Sequence, residues 1–191
     1  MTEAHRRQKQ PELIRSQLLA VVRELLVQGG PHAVTLDAVA QRAHVSKGGL
    51  QHHYRSKQAL LDALSDQLFE EFEEAFAQAL AREDDTPGRH ARAYIRTCFE
   101  SGSGSHHVET QRAIGLLALT SEPCRQRWHG AMVEALKADG DDPHTSNLLL
   151  ACRLAADGFW FAQMLDVYPF DVARKGAILE ILLSQCNGGM P

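Results

Sequence analysis

Apolar residues along this chain recur with the three-to-four-residue period of an α-helix in nearly every segment, and no stretch shows the strict alternation of a half-buried strand. Ile14, Leu18, Val21, Val22 and Leu25 mark one face of a first helix of about 17 residues, which Gly29, Gly30 and Pro31 terminate. Two short helices follow. Leu36, Val39, Ala40 and Ala43 form the buried face of one that Thr35 caps; a turn falls at His44 and Val45; Ser46 then caps a second helix carrying Lys47, Gln51, His52 and His53. Ser56 opens a longer helix with apolar positions Leu61, Leu64, Leu68, Phe72 and Phe76, broken by Asp84, Asp85, Pro87 and Gly88. Further helices are predicted over 89–101, 109–119, 123–138, 145–167 and 170–185, separated by a flexible serine–glycine run at 101–105, by Gly140-Asp141-Asp142-Pro143 and by Tyr168-Pro169. The fold class is all-α.

The last two predicted helices are the most apolar. Leu148, Leu149, Leu150, Leu154, Phe159, Trp160, Phe161 and Leu165 leave one of them little polar face, and Val172, Ile178, Leu179, Ile181, Leu182 and Leu183 do the same for the other. A helix apolar nearly all round is covered on more than one side, and in a chain of this size the second cover is a partner subunit. The expectation is a homodimer built from 145–167 and 170–185 of each copy, with Ala155, Ala156, Gly158 and Ala162 allowing close approach.

Composition narrows the class. Hydrophobic residues make up 44% of 191 positions, enough for a core. No apolar run reaches the ~18 residues of a membrane span and the N-terminus carries no signal-like segment, so a cytoplasmic, membrane-free protein is expected. Cys98, Cys124, Cys152 and Cys186 are widely spaced, with no CxxC pair, and read as reduced core residues. The formal net charge of -4 argues against nucleic acid until the chain is divided after Lys57. Residues 1–57 then hold nine Lys/Arg against four Asp/Glu, and the remainder eleven against twenty, or +5 against -9. Positive charge gathered into one small module is the footprint of phosphate contact.

The two short helices with their turn have the grammar of a helix-turn-helix, whose second helix enters a DNA major groove. Lys47 and Gln51 carry donors suited to guanine or adenine edges, and His52 and His53 donate to bases or phosphates. Gly48 and Gly49 leave the backbone bare for close approach. Lys57 opens the next helix, where its ammonium and the free N–H groups can share a phosphate, and Arg6, Arg7 and Lys9 can form a basic arm.

Thr35-Leu36, Val39-Ala40, Ala43, Val45-Ser46-Lys47-Gly48, Leu50, His53-Tyr54, Ser56-Lys57 and Ala59-Leu60 together resemble the N-terminal DNA-binding domain of the TetR family of bacterial transcriptional regulators. The detailed resemblance covers residues 11–62. It implies a three-helix DNA-binding domain, here 1–57, and a larger helical effector-binding and dimerisation domain, 58–191. It implies a homodimeric repressor released from DNA by a small molecule. Carried over by position, base contacts fall on Lys47, Gly48, Gly49, Gln51 and His52, and phosphate contacts on Thr35, Tyr54 and Lys57, with His53 able to serve either. Gln51 departs from the aromatic residue often found there, so the operators of relatives do not define the one read here, since an amide prefers different base edges from a stacked ring. A dimer presenting two reading helices ~34 Å apart requires a palindromic operator.

For the effector, Cys98, Phe99, Trp128, Met132, Phe159, Trp160 and Met164 are candidate pocket residues, with His106, His107 or His129 as polar groups. Aromatic and methionine side chains point to an apolar or aromatic molecule. The alternative is a redox- or metal-responsive regulator using Cys98 and Cys124, or His106 and His107. HExxH, GxGxxG, GxSxG and GxxxxGK[ST] are all absent, so no enzyme, cofactor or resident metal is expected.

Overall fold

The computed structural model describes residues 3–100, 105–140 and 142–187, with side chains except at 3–11, 105–107 and 143. Among the described residues lie nine helices and no strand: α1 (Glu3–Ala33), α2 (Leu36–Arg42), α3 (Lys47–His53), α4 (Lys57–Leu80), α5 (Arg89–Glu100), α6 (Ser105–Thr120), α7 (Glu122–Ala138), α8 (Pro143–Leu165) and α9 (Val172–Cys186). The all-helical expectation holds. Residues 101–104 of the serine–glycine run lie outside the described residues, as do the side chains of Arg6, Arg7 and Lys9. α1 starts well before Ile14, because the preceding Glu, Ala, Arg, Gln and Lys residues are strong helix formers that an apolar period does not mark. It breaks where glycine was expected to break it: Gly30 has φ 70 and ψ -174, and a short further turn runs to Ala33.

The chain divides into two compact units, residues 1–68 with 112–125, and residues 69–111 with 126–191. In the first, α1 packs on α2 and α2 on α3. Leu18, Val22 and Leu26 of α1, Val34, Val39 of α2, Leu50 of α3 and Leu60 of α4 are all essentially inaccessible to solvent. Hydroxyl caps set the helix starts. Thr35 Oγ1 accepts from Ala38 N, Ser46 Oγ from Gly49 N and Ser56 Oγ from Ala59 N, each at 3.1 Å, and each cap contributes about 1 kcal/mol. The α2–α3 turn is a Schellman closure: Val45 N donates to Ala40 O at 3.0 Å and His44 N to Gln41 O at 3.3 Å. That closure holds His44 at φ 55, a left-handed position that glycine occupies more easily.

In the second unit α5 packs on α8 and α9, and α8 on α9. The core joins Ile95 and Phe99 of α5, Leu149, Ala156 and Phe159 of α8 and Cys186 of α9. The Phe99 and Phe159 rings stack at 3.9 Å. Two buried ion pairs tie the helix ends. Arg92, 4% exposed, donates from Nε to Glu83 at 2.7 Å and from Nη1 to Pro87 O at 2.8 Å, so one guanidinium closes the α4–α5 turn. Gly88 in that turn has φ 79, and a Cβ there would lie 2.9 Å from Cys186 O. Asp139 accepts from Ala91 N at 3.1 Å and pairs with Arg153 at 2.7 Å, joining the end of α7 to α5 and α8.

α8 departs from one expectation. His144–Leu165 is, by length and composition alone, apolar enough to cross a membrane, with mean hydropathy 1.3. Core helices of soluble proteins pass the same test, and Arg153 and Asp157 on α8 are engaged with Asp139 and Tyr94 inside the unit. Its outer face and that of α9 remain apolar in this single chain: Leu154, Phe161, Leu165, Val172 and Ile181 are exposed.

Two outcomes follow from this architecture. His44→Gly relieves the left-handed strain at some expense in unfolded-chain entropy and raises stability by about 0.5 kcal/mol in urea unfolding; a destabilised variant would show that the His44 side chain contributes more than its backbone position. For Glu83, burial alone would raise the carboxyl, but hydrogen bonds from Arg92 and Arg96 outweigh it and hold the group below the ordinary glutamate range. A depressed carboxylate contributes stability that is complete above the ordinary glutamate pKa and is lost as pH falls through the lowered value. Glu83→Gln therefore costs about 3 kcal/mol at neutral pH and flattens the loss of stability that sets in as pH falls below the ordinary glutamate range. Equal acid dependence in the two proteins would count against the Glu83 assignment.

Candidate nucleic-acid interface and aromatic cavity

α3 has the sequence KGGLQHH, and its single buried residue is Leu50, at 0% exposure. With Leu50 turned inward, Lys47, Gly48, Gly49, Gln51 and His52 are exposed, and His53 is half-buried with its ring edge-on to His52. A Cβ at Gly48 would meet nothing within 4 Å. No packing inside the protein requires glycine there, although each glycine costs a helix about 1 kcal/mol relative to alanine. Thr35 is exposed and Lys57 half-buried. Lys47 Nζ lies 2.7 Å from Asp37 Oδ1 on α2, both side chains exposed.

Tyr54 is placed differently from the other expected phosphate contacts. It is 4% exposed, and its hydroxyl accepts from Arg15 Nε at 3.4 Å while the Arg15 guanidinium lies 5.5 Å from the ring centre. Arg15, an exposed cation of α1, joins the candidate surface in this way. Sequence spacing does not reveal it, because the two residues are 39 positions apart.

The second unit holds a cavity of about 610 Å³. Phe69, Phe72 and Phe76 of α4 form one wall, His90 and Tyr94 of α5 a second, and Ala131, Met132 and Ala135 of α7 a third; Glu73, Arg127 and Glu134 supply charge. Trp128 flanks it, its ring 5.1 Å from Phe69 and 4.8 Å from Phe72. Arg127 lies over the Phe69 ring at 4.2 Å. Behind the α5 wall the Tyr94 hydroxyl donates to Asp157. Burial, followed by the neighbouring Cys98 and Asp157, pushes the Tyr94 phenol far above its ordinary value, so it remains a donor. Burial likewise raises the Asp157 carboxyl, only partly offset by Tyr94 and Arg153.

Of the candidate pocket residues, Met132 lines this cavity and Trp128 borders it. Cys98, Phe99 and Phe159 belong to the α5–α8–α9 core, Met164 is buried, and Trp160 is half-buried beside Phe161. His129 is exposed, while His106 and His107 lie outside the described side chains. The α4 phenylalanines were visible as an apolar stripe, but periodicity does not say whether a stripe faces packed atoms or empty space. Cys98 and Cys124 are buried, and burial chiefly pushes the Cys98 thiol up to about 12, leaving it protonated and poorly nucleophilic. Among the described residues no group of three or more His, Cys, Asp or Glu is arranged to hold a metal ion.

Known proteins share both halves of this architecture. Residues 18–64 match the family of bacterial regulatory proteins of the tetR type, and residues 88–187 match the tetracyclin repressor-like C-terminal domain. The HTH-type transcriptional regulator UidR of Escherichia coli K12 is 30% identical, with 95% of each chain covered. The HTH-type transcriptional repressor KstR2 of Rhodococcus jostii RHA1 is 25% identical over 78% of this chain and 77% of its own. The crystal structure of the multidrug binding protein EbrR complexed with malachite green superposes with a TM-score of 0.67 at 22% identity, covering 90% of this chain and 96% of that one.

The indole of Trp128 reports on the cavity. In a Trp160→Phe background, an apolar aromatic dye bound there quenches or shifts Trp128 emission, and Ala131→Leu, which fills part of the space, weakens the dye by about tenfold. The same dye affinity in both proteins would place the dye elsewhere.

Proposed function

The chain belongs to the TetR family of bacterial regulatory proteins, and from that premise we propose that it grips an inverted-repeat operator as a homodimer and lets go when a small apolar or aromatic molecule fills its cavity. It is a DNA-binding transcriptional repressor. The observation that carries the reading of its DNA contacts is the outward face of α3, where Lys47, Gln51 and His52 stand around a glycine no internal contact requires. Lys47, Gly48, Gly49, Gln51 and His52 meet base edges; Thr35, His53 and Lys57 meet phosphates, and Tyr54 acts there together with Arg15. Residues 1–57 form the reading head and 58–191 receive the effector and the second subunit.

The exposed apolar face of α8 and α9 supports the dimer, since Leu154, Phe161, Leu165, Val172 and Ile181 become buried when two copies meet there. Two heads about 34 Å apart then read an inverted repeat. Three aromatic rings of α4 in the cavity support the effector class, and EbrR provides a likeness of fold that accommodates malachite green. α4 starts in the head at Lys57 and reaches the cavity at Phe69, Phe72 and Phe76, so a ligand that displaces those rings acts on a helix the head shares. A coupling of about 1–3 kcal/mol is enough to change occupancy of the operator. Action on chromosomal DNA goes with a cytoplasmic location.

Selection of duplexes from a random pool by the wild-type protein supplies the operator. Lys57→Ala then weakens binding to every duplex and lowers the slope of log affinity against log salt by about 0.9, the share of one phosphate. Gln51→Ala instead relaxes preference by about 1–3 kcal/mol at one base pair in each half-site. A uniform loss across sequences in Gln51→Ala would remove it from the base-reading set.

A further inference from the structure

Lys47 is the only Lys or Arg of α3, and its ammonium lies against Asp37. Asp37 belongs to the first turn of α2, the element that packs directly beneath α3. Side chains of both residues are more than half exposed, at 55% for Lys47 and 75% for Asp37, so the pair lies in water on the same side as the reading face. A pair so exposed is weak, because solvent and salt screen it, and the ammonium keeps further N–H donors for a second acceptor. No other permanent cation on α3 replaces the charge that Asp37 neutralises. His52 and His53 complete its polar set, and Gly48 and Gly49 add none.

We propose that Asp37 is a specificity-determining residue, which holds Lys47 back from indiscriminate phosphate contact and leaves the remaining N–H donors of its ammonium to a neutral base edge in register. The inference rests on the reading of α3 as the base-contacting helix. Phosphates occur at every position along a duplex, and a free lysine on the reading helix would gain from any of them. A lysine already paired gains little from exchanging a carboxylate for a phosphate oxygen. Its remaining N–H donors can instead reach the paired O6 and N7 acceptors of a neutral guanine edge while Asp37 stays bound, and such edges occur only at particular positions. The negative charge of Asp37 opposes a phosphate brought up to Lys47 but not a neutral base edge. The pair thus lowers affinity for all DNA but lowers it most for DNA of the wrong sequence.

The test compares the full-length wild type, Asp37→Asn, Asp37→Glu, Lys47→Gln and the Asp37→Asn/Lys47→Gln double variant. Each is measured on the duplex recovered by selection with the wild type and on a random-sequence duplex, across a series of salt concentrations. Asp37→Asn is expected to bind the random duplex about tenfold more tightly at low salt, with a salt slope steeper by about one phosphate. It gains less on the selected duplex, so the ratio of the two affinities falls. Asp37→Glu keeps the charge and is expected to keep the ratio near that of the wild type. In the Lys47→Gln background Asp37→Asn is expected to raise both affinities alike, because the lost carboxylate charge acts on every duplex, and to leave their ratio unchanged. Unchanged random-duplex affinity and slope in Asp37→Asn would overturn the proposal, and so would a fall in the ratio that survives in the Lys47→Gln background, which would make Asp37 act independently of Lys47. A wild type that enriches no duplex would overturn the reading of α3 as well, and that result is distinct from enrichment with no effect of Asp37.

Discussion

A helix of seven residues has too few internal hydrogen bonds to persist in water, so α3 keeps its shape only through what surrounds it. Leu50 provides the anchor, completely buried, and Ser46 closes the first turn through Gly49 N. The Schellman closure at His44 and Val45 fixes where α3 begins relative to α2, and Tyr54 N closes the far end onto Leu50 O at 2.9 Å. Everything the exposed face can do depends on that support. Because packing and caps supply the rigidity, the outward positions need not favour helix, and two glycines and two histidines are tolerated there. The composition of α3 is thus a consequence of its anchoring: the stabilising residues point in or flank it, and the outward residues are free to serve chemistry.

The head was the legible part of the sequence, and the reason is physical. Its elements are short, so each needs a cap, and Thr35, Ser46 and Ser56 mark the starts of helices within one residue of where they occur. Local rules of that kind act over three or four positions and can be read from neighbours along the chain. What stayed hidden is what depends on separation in space. Arg15 reaches Tyr54 from another helix, Arg153 reaches Asp139 from fourteen residues away, and the cavity is bounded by three helices whose apolar stripes look alike in sequence. Phe72 and Phe99 are both aromatic residues at helical spacing, yet one borders empty space and the other is packed at 0% exposure. Periodicity identifies which side of a helix is apolar but not what lies opposite.

Cavity and core also differ in how they are held open or closed. The α5–α8–α9 core is sealed by stacked rings of Phe99 and Phe159, with Phe170 a further 4.9 Å beyond Phe159. Around the cavity the rings meet in both ways, Phe72 stacked near Phe76 at 6.2 Å and edge-on to Tyr94 at 6.2 Å and 70°. The Arg92–Glu83 and Arg153–Asp139 pairs fix the ends of the walls, so space between them can remain unfilled without the helices closing over it.

Ion pairs therefore play different parts in the molecule, and burial decides which. Arg92 and Glu83 are 5% and 8% exposed, and removing either leaves a charge with no water to replace its partner, a loss of about 3–5 kcal/mol. Such a pair has one arrangement and behaves as a fixed joint. Lys47 with Asp37, and Arg42 with Glu24, are about half exposed or more, where a pair is worth roughly 0–1 kcal/mol and salt weakens it further. Those pairs can take on a second acceptor at little expense when one arrives. A surface that must change its contacts on meeting DNA needs bonds of the second kind, and a frame that must keep a cavity open needs bonds of the first.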